Sequence, residues 1–299
     1  MKILCIGHVT YDVTFETTSF PLENTKNRYH NKEEYVGGPV AIASVLLARW
    51  GEEVELAGQA GLDENGRKIQ KELVLNKVGI SNLSLDNNLS TSNSFILANS
   101  SNGKRTIYSY TPKKGQLKPL KLDYTPDIIL LDGYEYEASK KLLEEFPNTI
   151  SILDASRENL ETVELAKMVK YLICSQEFAE SVAATKIDFN NLSTLSEVYT
   201  KMEETFKNEI IITLEERGCL YKENGQIKIM PSIKVKIVDT TAAGDIFHGA
   251  FVYALAHKFN FEKTIKFANI AGALSVTRFG GCLSIPTLKE VQKVYDQVK

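Results

Sequence analysis

The sequence has little of the residue patterns that mark several specialised classes of protein. Its 299 residues include four cysteines, and these lie too far apart to have the spacing of metal ligands. We therefore expect buried free thiols in a reducing compartment. No stretch approaches the roughly 20 apolar residues that a membrane-spanning helix needs, so we expect no membrane partner.

An excess of charge of one sign is also lacking. The chain has 35 Lys and Arg against 38 Asp and Glu, a net charge of −3, which gives no reason to expect nucleic acid as a partner. Residues 1–7 predict a first strand and are too short for a signal peptide, which favours a cytoplasmic protein. No long linker, low-complexity tract or internal repeat is present, and we predict a single domain over residues 1–299.

What the chain does have is a regular alternation of apolar strand-like runs with helical patterns. The strand-like runs include residues 128–131, 151–153, 171–173 and 210–213. The helical patterns include residues 41–50, 138–146, 160–169 and 195–206. This alternation predicts an α/β fold with a largely parallel central sheet.

Two segments depart from the alternation. Residues 12–36 and 90–112 are polar and rich in Tyr, Thr and Asn, and their β-branched and aromatic content favours strands over disordered surface loops. Further along the chain, Asn224-Gly225 predicts a hairpin turn. Thr287 and Glu290 have the spacing of a capping box before a final helix.

The most informative feature is the run Asp239-Thr240-Thr241-Ala242-Ala243-Gly244-Asp245. Residues 233–238 before it predict a strand, and residues 246–255 after it predict a buried helix. The small residues between these elements let an anion approach unpaired N–H groups at the positive end of the helix. Asp245 would lie beside that anion as a base for a substrate hydroxyl. For a bare Gly-Asp pair the alternative is an ordinary first-turn cap.

The run resembles the signature Asp-Thr-x-Gly-Ala-Gly-Asp of the ribokinase-like (PfkB) carbohydrate kinases, with Ala242 where the first Gly usually stands. The resemblance covers nearly the whole chain. It implies a three-layer α/β sandwich with a small β-sheet lid built from the two polar segments and often shared across a homodimer. It also implies transfer of the γ-phosphoryl group of ATP to a sugar-like alcohol. Asp245 would be the base, and the N–H groups of Ala242, Ala243 and Gly244 would form an anion hole.

The resemblance also assigns residues to the acceptor side of the site. Asp12 would hold substrate hydroxyls, because a carboxylate accepts two hydroxyl hydrogens; a turn at a strand end is the alternative for this residue. Gly37 and Gly38 would let the backbone approach the substrate. Ile42 stands where many members carry an Asn that bonds the sugar, so a ribose-like acceptor is not implied. Arg105 would reach the substrate from the second lid segment or remain a solvated hairpin charge.

For the nucleotide, Thr213 and Gly218 match a Thr-Leu-Gly-x-x-Gly segment, and Asn269 falls where the family borders the adenine. Glu177 matches the acidic end of an Asn-x-x-Glu motif that organises Mg²⁺ through water. Cys174 replaces the Asn of that motif and would be a poor ligand. In members activated by a monovalent cation, K⁺ is surrounded by positions that correspond here to Asp239, Thr241, Ser275, Arg278, Gly280 and Ser284.

Together with the run at residues 239–245, the resemblance implies an ATP- and Mg²⁺-dependent kinase, with K⁺ as a further expected cation, that phosphorylates a primary hydroxyl of a sugar or sugar derivative. Two alternatives stay open. A nucleoside kinase of the same fold is compatible with the Gly-His-x-x-x-Asp pattern at residues 7–12. A non-catalytic nucleotide-binding relative is disfavoured by the intact run at residues 239–245. The sequence does not name the acceptor.

Overall fold

The computed structural model describes residues 1–113, 115–156 and 158–298. Its strands are β1 (Lys2–Ile6), β2 (Thr10–Thr17), β3 (Asn31–Gly37), β4 (Glu53–Gly61), β5 (Leu83–Asp86), β6 (Ser92–Asn99), β7 (Arg105–Tyr110), β8 (Ile128–Leu131), β9 (Ile150–Ala155), β10 (Tyr171–Ser175), β11 (Glu209–Thr213), β12 (Cys219–Glu223) and β13 (Gln226–Met230). Its helices are α1 (Pro39–Arg49), α2 (Glu64–Leu75), α3 (Tyr136–Glu145), α4 (Leu160–Ala166), α5 (Gln176–Ala183), α6 (Ser193–Thr205), α7 (Ala243–Ala256), α8 (Phe261–Ser275) and α9 (Leu288–Gln297).

The large sheet, as far as the described residues show it, has nine strands in the order β13-β12-β11-β10-β9-β8-β1-β4-β5. Every pairing from β11 to β5 is parallel, whereas β12 and β13 extend one edge as an antiparallel hairpin. The carboxyl ends of the parallel strands therefore meet at one edge of the sheet. Ligands bind beyond this edge in open α/β sheets.

Helices cover both faces of this sheet. Successive residues of a strand point to opposite faces, so Ile3 and Leu4 of β1 enter different hydrophobic clusters. Ile3 joins the cluster that includes Leu46 of α1 and Phe251 of α7. Leu4 joins the cluster that includes Phe178 of α5. The result is a sandwich of three layers, with the sheet in the middle.

The second sheet is small and has the strand order β3-β2-β6-β7. Strand β2 pairs antiparallel with β3 and parallel with β6, and β7 pairs antiparallel with β6. Ser94 and Ile96 of β6 line a cavity at the carboxyl edge of the large sheet. Phe95, between them, points the other way and is 50% exposed. One face of this sheet therefore forms a lid over the carboxyl edge.

The predicted fold class, a largely parallel α/β sandwich with a small β-sheet lid, is confirmed. The hairpin at Asn224-Gly225 and the capping box at Thr287 are also confirmed. The lid strands lie within the two predicted segments or extend a few residues beyond them. The assignment of residues 1–299 to one domain stays a prediction.

The strand predicted at residues 233–238 is wrong, since these residues form no strand. Burial alternates only over residues 233–236, where Ile233 packs against the core, and the alternation ends at Ile237, which is exposed. At the end of the segment, however, the N–H of Val238 donates to the carbonyl of Val276, just beyond α8. An alternating pattern records which side chains are buried. It does not show whether the backbone has a strand partner.

Within the described residues, no helix is both long and apolar enough to cross a membrane. All four cysteines are free and buried, as expected, and burial raises the pKa of each thiol well above its usual value. These thiols are therefore protonated and unreactive near neutral pH.

Candidate active site

The lid and the carboxyl ends of the parallel strands border a cavity of about 380 Å³. The lid strands, the ends of β9, β10 and β11 and the start of α7 all contribute to its lining. The lining includes Asp12, Gly38, Ile42, Ser94, Ile96, Arg105, Ile107, Asp154, Thr213, Ala242, Ala243, Gly244, Asp245 and His248. The predicted catalytic residues thus meet most of the predicted acceptor residues in one place.

Helix α7 begins with a turn that is open to an anion. The first N–H groups of a helix lack partners within the helix; here Gly244 is exposed, and the partly exposed Ala243 donates only a long hydrogen bond of 3.4 Å to the carbonyl of Thr240. The residue before the helix, Ala242, has a left-handed φ of 64°, a conformation that favours glycine. This explains why a glycine is usual at this position of the signature. The positive end of the helix dipole adds to the attraction for an anion.

Asp245 lies in the first turn of α7 and lines the cavity. Burial raises the pKa of its carboxyl to about 7, and the nearby carboxyl of Asp154 adds to this rise, whereas His248 and Arg105 oppose it. A general base is most effective when its pKa lies near the working pH. Asp245 is therefore suited to take a proton from a hydroxyl at neutral pH.

Asp12 faces the same cavity from lid strand β2. Its Oδ1 accepts a hydrogen bond from the Thr10 hydroxyl at 3.1 Å. Burial raises the pKa of Asp12 to about 6, against the opposing hydrogen bonds from Ser94 and Thr10. Gly37 packs so closely that a Cβ at this position would collide with the Asp12 carboxyl. The glycine thus permits the carboxyl of Asp12 to enter the cavity.

The start of α1 provides a second close approach and an apolar wall. Gly38 has a φ of 100°, and a Cβ there would collide with the carbonyl of His8. Ile42, in the first turns of α1, lines the cavity together with Ile96 and Ile107 of the lid. Ile42 and Ile96 are each 2% exposed. The position at which the resemblance leads us to expect an Asn is thus part of an apolar surface here.

Arg105 begins β7 and also lines the cavity. Its Nη1 donates to the hydroxyl of Thr240 at 2.6 Å, and that hydroxyl donates to the carbonyl of Gly103 at 3.1 Å. These hydrogen bonds connect the β6–β7 turn of the lid to residues 239–242, which precede α7. Arg105 therefore bridges the lid and the catalytic segment, and its contact with a substrate stays a prediction.

Of the three predicted nucleotide residues, Thr213 lies in the lining of the described cavity, whereas Gly218 and Asn269 both lie beside the carbonyl of Met230. Thr213 ends β11 and lines the cavity, and its hydroxyl donates to the carbonyl of Cys174 at 3.2 Å. Gly218 has a φ of 96° and lies where a Cβ would collide with the Met230 carbonyl. Asn269 donates from Nδ2 to the carbonyl of Pro231 at 2.8 Å. The last two support the β13 end of the sheet, and their contact with a nucleotide stays a prediction.

Glu177 lies in the first turn of α5, at the carboxyl end of β10, and is exposed. Its carboxylate is the kind of oxygen ligand that Mg²⁺ prefers. Among the described residues, no group of three or more His, Cys, Asp and Glu side chains could hold a metal ion. A magnesium ion at this edge would therefore depend on one carboxylate, water and substrate phosphates, and Glu177 as its ligand stays a prediction.

Three of the six predicted K⁺ positions are joined by hydrogen bonds. Asp239 Oδ1 accepts from the N–H of Thr241 at 2.9 Å and from its hydroxyl at 2.6 Å. Asp239 Oδ2 accepts from the N–H of Gly280 at 3.1 Å. These bonds join the run before α7 to the loop after α8.

The other three K⁺ positions have partners of their own. The hydroxyls of Ser275 and Ser284 each donate to a backbone carbonyl three residues earlier, and the guanidinium of Arg278 pairs with Glu290. Arg278 could thus offer a cation only its backbone carbonyl. The K⁺ site stays a prediction.

The sequence analysis missed two buried polar residues at the cavity, Asp154 and His248. Asp154 Oδ2 lies 3.3 Å from Nδ1 of His248. Two signals could have found them. Asp154 follows a predicted parallel strand and so lies at the carboxyl edge, and His248, three residues after Asp245, shares its face of the helix.

The sequence profile of the pfkB family carbohydrate kinases matches residues 1–288. The chain belongs to this family. Among curated relatives of this pfkB family member, a ribokinase of Lactococcus lactis is 26% identical over 311 residues, covering 97% of this chain and 96% of the relative. A nucleoside kinase of Methanocaldococcus jannaschii is 24% identical over 297 residues, covering 97% and 95%. The family relatives thus differ in the acceptor that their names give.

Solved structures share the fold of this pfkB family member. A candidate ribokinase from Agrobacterium tumefaciens is 24% identical, with a TM-score of 0.89 over 99% of this chain and 97% of that chain. A ribokinase of Arabidopsis thaliana, solved with ribose and ATP, is 20% identical, with a TM-score of 0.80 over 98% of each chain. At these identities the likeness shows the fold, and family membership rests on the profile match.

Proposed function

We propose that this pfkB family member is an ATP-dependent kinase that transfers the γ-phosphoryl group to a primary hydroxyl of a sugar or sugar derivative. The observation that carries the proposal is the meeting of Asp245, the open first turn of α7 and Asp12 in one cavity. A base, an anion site and a carboxylate that binds hydroxyls are the parts that phosphoryl transfer to an alcohol requires.

In the proposed reaction Asp245 takes the hydroxyl proton while the acceptor oxygen forms a bond to the γ-phosphorus. The bond from that phosphorus to the β–γ bridging oxygen breaks, and ADP leaves. The N–H groups of Ala242, Ala243 and Gly244 stabilise the charge on the transferring group. Asp12 orients the acceptor by accepting hydrogen bonds from its hydroxyls. The lid excludes water, which would otherwise compete as an acceptor.

Around the nucleotide, Thr213, Gly218 and Asn269 are the proposed contacts, and Glu177 is the proposed partner of hydrated Mg²⁺. Bound Mg²⁺ would neutralise phosphate charge. The exposed carboxylate of Glu177 suits that role, because Mg²⁺ keeps much of its water shell in proteins. The oxygen atoms around Asp239 suit K⁺ by their chemistry.

The acceptor side favours a polyol with one apolar edge. Asp12 supplies the hydroxyl-binding carboxylate, and Arg105 is the proposed further contact, whereas Ile42, Ile96 and Ile107 offer no hydrogen bond from their side chains. A polar substrate group left against such a wall would lose its hydrogen bonds to water. A nucleoside is the second candidate, because it combines ribose hydroxyls with an apolar base and because the archaeal relative is a nucleoside kinase.

The proposal includes a cytoplasmic protein that forms a homodimer through the outer face of the lid. Phe95 and Tyr108 lie side by side on β6 and β7, pointing away from the cavity, and are 50% and 62% exposed. Burial of two such faces against each other would stabilise a dimer. Phe95→Glu should convert a dimer to a monomer in sedimentation velocity, and a wild-type protein that sediments as a monomer would contradict this part.

An ADP-release assay tests the function. Mg-ATP would be offered with aldoses, ketoses, sugar acids, sugar phosphates and nucleosides, with and without K⁺, and with Asp245→Asn as the blank. Turnover that depends on Asp245 with a sugar-like acceptor supports the proposal, and turnover with nucleosides alone favours the second candidate. A protein that binds ATP and turns over no acceptor contradicts both.

A further inference from the structure

His248 holds the backbone of the proposed anion hole from one helical turn away. Its Nδ1 lies 2.7 Å from the carbonyl oxygen of Gly244 and 3.3 Å from Oδ2 of Asp154. A carbonyl oxygen can only accept a hydrogen bond, so this contact requires a proton on Nδ1; the backbone of Ile173 is a further hydrogen-bond partner of the ring. One N–H is thus shared between the anion-hole backbone and a carboxyl at the end of β9.

The hydrogen bond to Gly244 adds a side-chain restraint to a peptide unit in the first turn of α7. The Gly244 carbonyl and the Asp245 N–H belong to the same planar unit, so holding one orients the other. Gly244 has no side chain, and apart from its chain neighbours and the backbone of its own helix, no atom of the described residues lies within 4 Å of the place that its Cβ would occupy. No packed side chain therefore restrains this turn on its open side, whereas the imidazole of His248 bonds to its carbonyl.

We propose that His248 and Asp154 are positioning residues for phosphoryl transfer, which orient the first turn of α7 through the carbonyl of Gly244. Asp154 is 7% exposed and His248 is 4% exposed, so a defined geometry can persist between them. This inference rests on the proposed function, because the orientation of the turn affects a rate only if the turn binds the transferring group.

Asp154 also acts on Asp245 through charge. Burial raises the pKa of Asp154 to about 7, close to the value for Asp245, and neighbouring carboxyls with similar pKa values titrate as a pair. Burial lowers the pKa of His248, so the ring between them stays neutral at pH 7. The groups that face Asp154 or Asp245 from other elements are Asp132 after β8, Cys174 of β10, Asp12 of β2, Arg105 of β7 and Cys282 after α8.

The first test is independent of any acceptor. Long-range ¹H–¹⁵N spectra distinguish the two imidazole tautomers, and His248→Phe identifies the signal among the four histidines. We expect a neutral ring with the proton on Nδ1 between pH 6.5 and about 8. A ring with its proton on Nε2, or a charged ring at pH 7, would overturn the inference.

The second test is kinetic. Asp154→Asn and His248→Phe should each lower kcat by about tenfold or more while KM for ATP changes less than about threefold, because the turn is misaligned and not lost. Asp154→Asn should also move the acid limb of the pH–rate profile to lower pH by about one unit, since removing a neighbouring negative charge lowers the pKa of Asp245. Thermal unfolding shows that each variant is folded.

Asp132→Asn is the matched control for the pH shift. Asp132 is a buried carboxyl at the end of the neighbouring strand β8, and its pKa is also raised to about 7, but its charge is not among the causes that raise the pKa of Asp245. The acid limb should stay in place in this variant. An unchanged kcat and limb in Asp154→Asn would overturn the inference. If the wild type phosphorylates no acceptor, the proposed function fails, and the tautomer alone decides whether the hydrogen bond to Gly244 exists.

Discussion

Lowering the pH from 8 to 5 should switch off phosphoryl transfer through protonation of Asp245. The active base is the carboxylate, and the pKa of this group is raised to about 7, chiefly by burial. About half of the enzyme then carries the base at pH 7, about a tenth at pH 6 and about a hundredth at pH 5. The value of kcat/KM should therefore fall about tenfold for each pH unit below 7.

A second carboxylate should steepen this fall. Asp12 must be ionised to accept hydrogen bonds from two hydroxyls, and its pKa is raised to about 6. The slope of log(kcat/KM) should therefore approach two below pH 6. Asp12→Asn should remove the steeper part and raise the KM of the acceptor, while the first limb near pH 7 remains.

The assay is ADP release between pH 5 and 9 at constant ionic strength with saturating Mg²⁺. Asp245→Asn should still bind ATP, turn over at least about 10²-fold more slowly and lose the limb near pH 7. A wild-type limb near pH 4, the ordinary range of an aspartate, would refute the reasoning about burial. Activity of Asp245→Asn within a few-fold of the wild type would refute the role of the base.

Three further predictions follow from particular residues. Ala242→Gly should raise the free energy of unfolding by about 0.5–1 kcal/mol in a denaturant titration and preserve activity, because Ala242 has a left-handed φ that glycine adopts at lower cost; a loss of stability would contradict this. Ile42→Asn, compared with Ile42→Val, should shift selectivity about tenfold from a deoxy acceptor towards its hydroxylated partner, and unchanged selectivity would count against the apolar wall. Asp12, Asp132, Asp154 and Asp245 have raised pKa values, so the stability that their protonated forms contribute below pH about 4 is lost as the pH rises through 6–7. The Tm of the ligand-free protein should therefore be several degrees lower at pH 8 than at pH 5, and an equal or higher Tm at pH 8 would contradict it.

The fold could be predicted from sequence because its elements are local and strongly patterned. The apolar run at residues 128–131 and the helical pattern at residues 41–50 appear as β8 and α1 with small changes at their ends. The strand predicted at residues 233–238 is absent because the apolar–basic alternation of these residues has no strand partner and its burial pattern ends at Ile237. Pairing is a contact between distant parts of the chain, which a local pattern does not record.

The site residues likewise differ in how well the sequence predicts them. Asp245 and Ala242–Gly244 were predictable because one continuous run supplies them, and Asp12 because it follows the first strand. His248 and Asp154 were missed because they are 94 positions apart in the numbering and meet only when β9 and α7 pack at the same edge. The apolar wall likewise forms only where α1 packs beside the lid. The sequence indicated one part of it, because Ile42 departs from the Asn of the family pattern.

The most direct test of the central claim is a ³¹P NMR time course of the wild-type protein with Mg-ATP and the acceptor that releases most ADP. The account predicts loss of the γ-phosphate signal of ATP and growth of an equal amount of a phosphomonoester coupled to the protons of a primary CH₂ group, with neither change in Asp245→Asn. Inorganic phosphate as the product, or a phosphomonoester that forms equally well without Asp245, would contradict it.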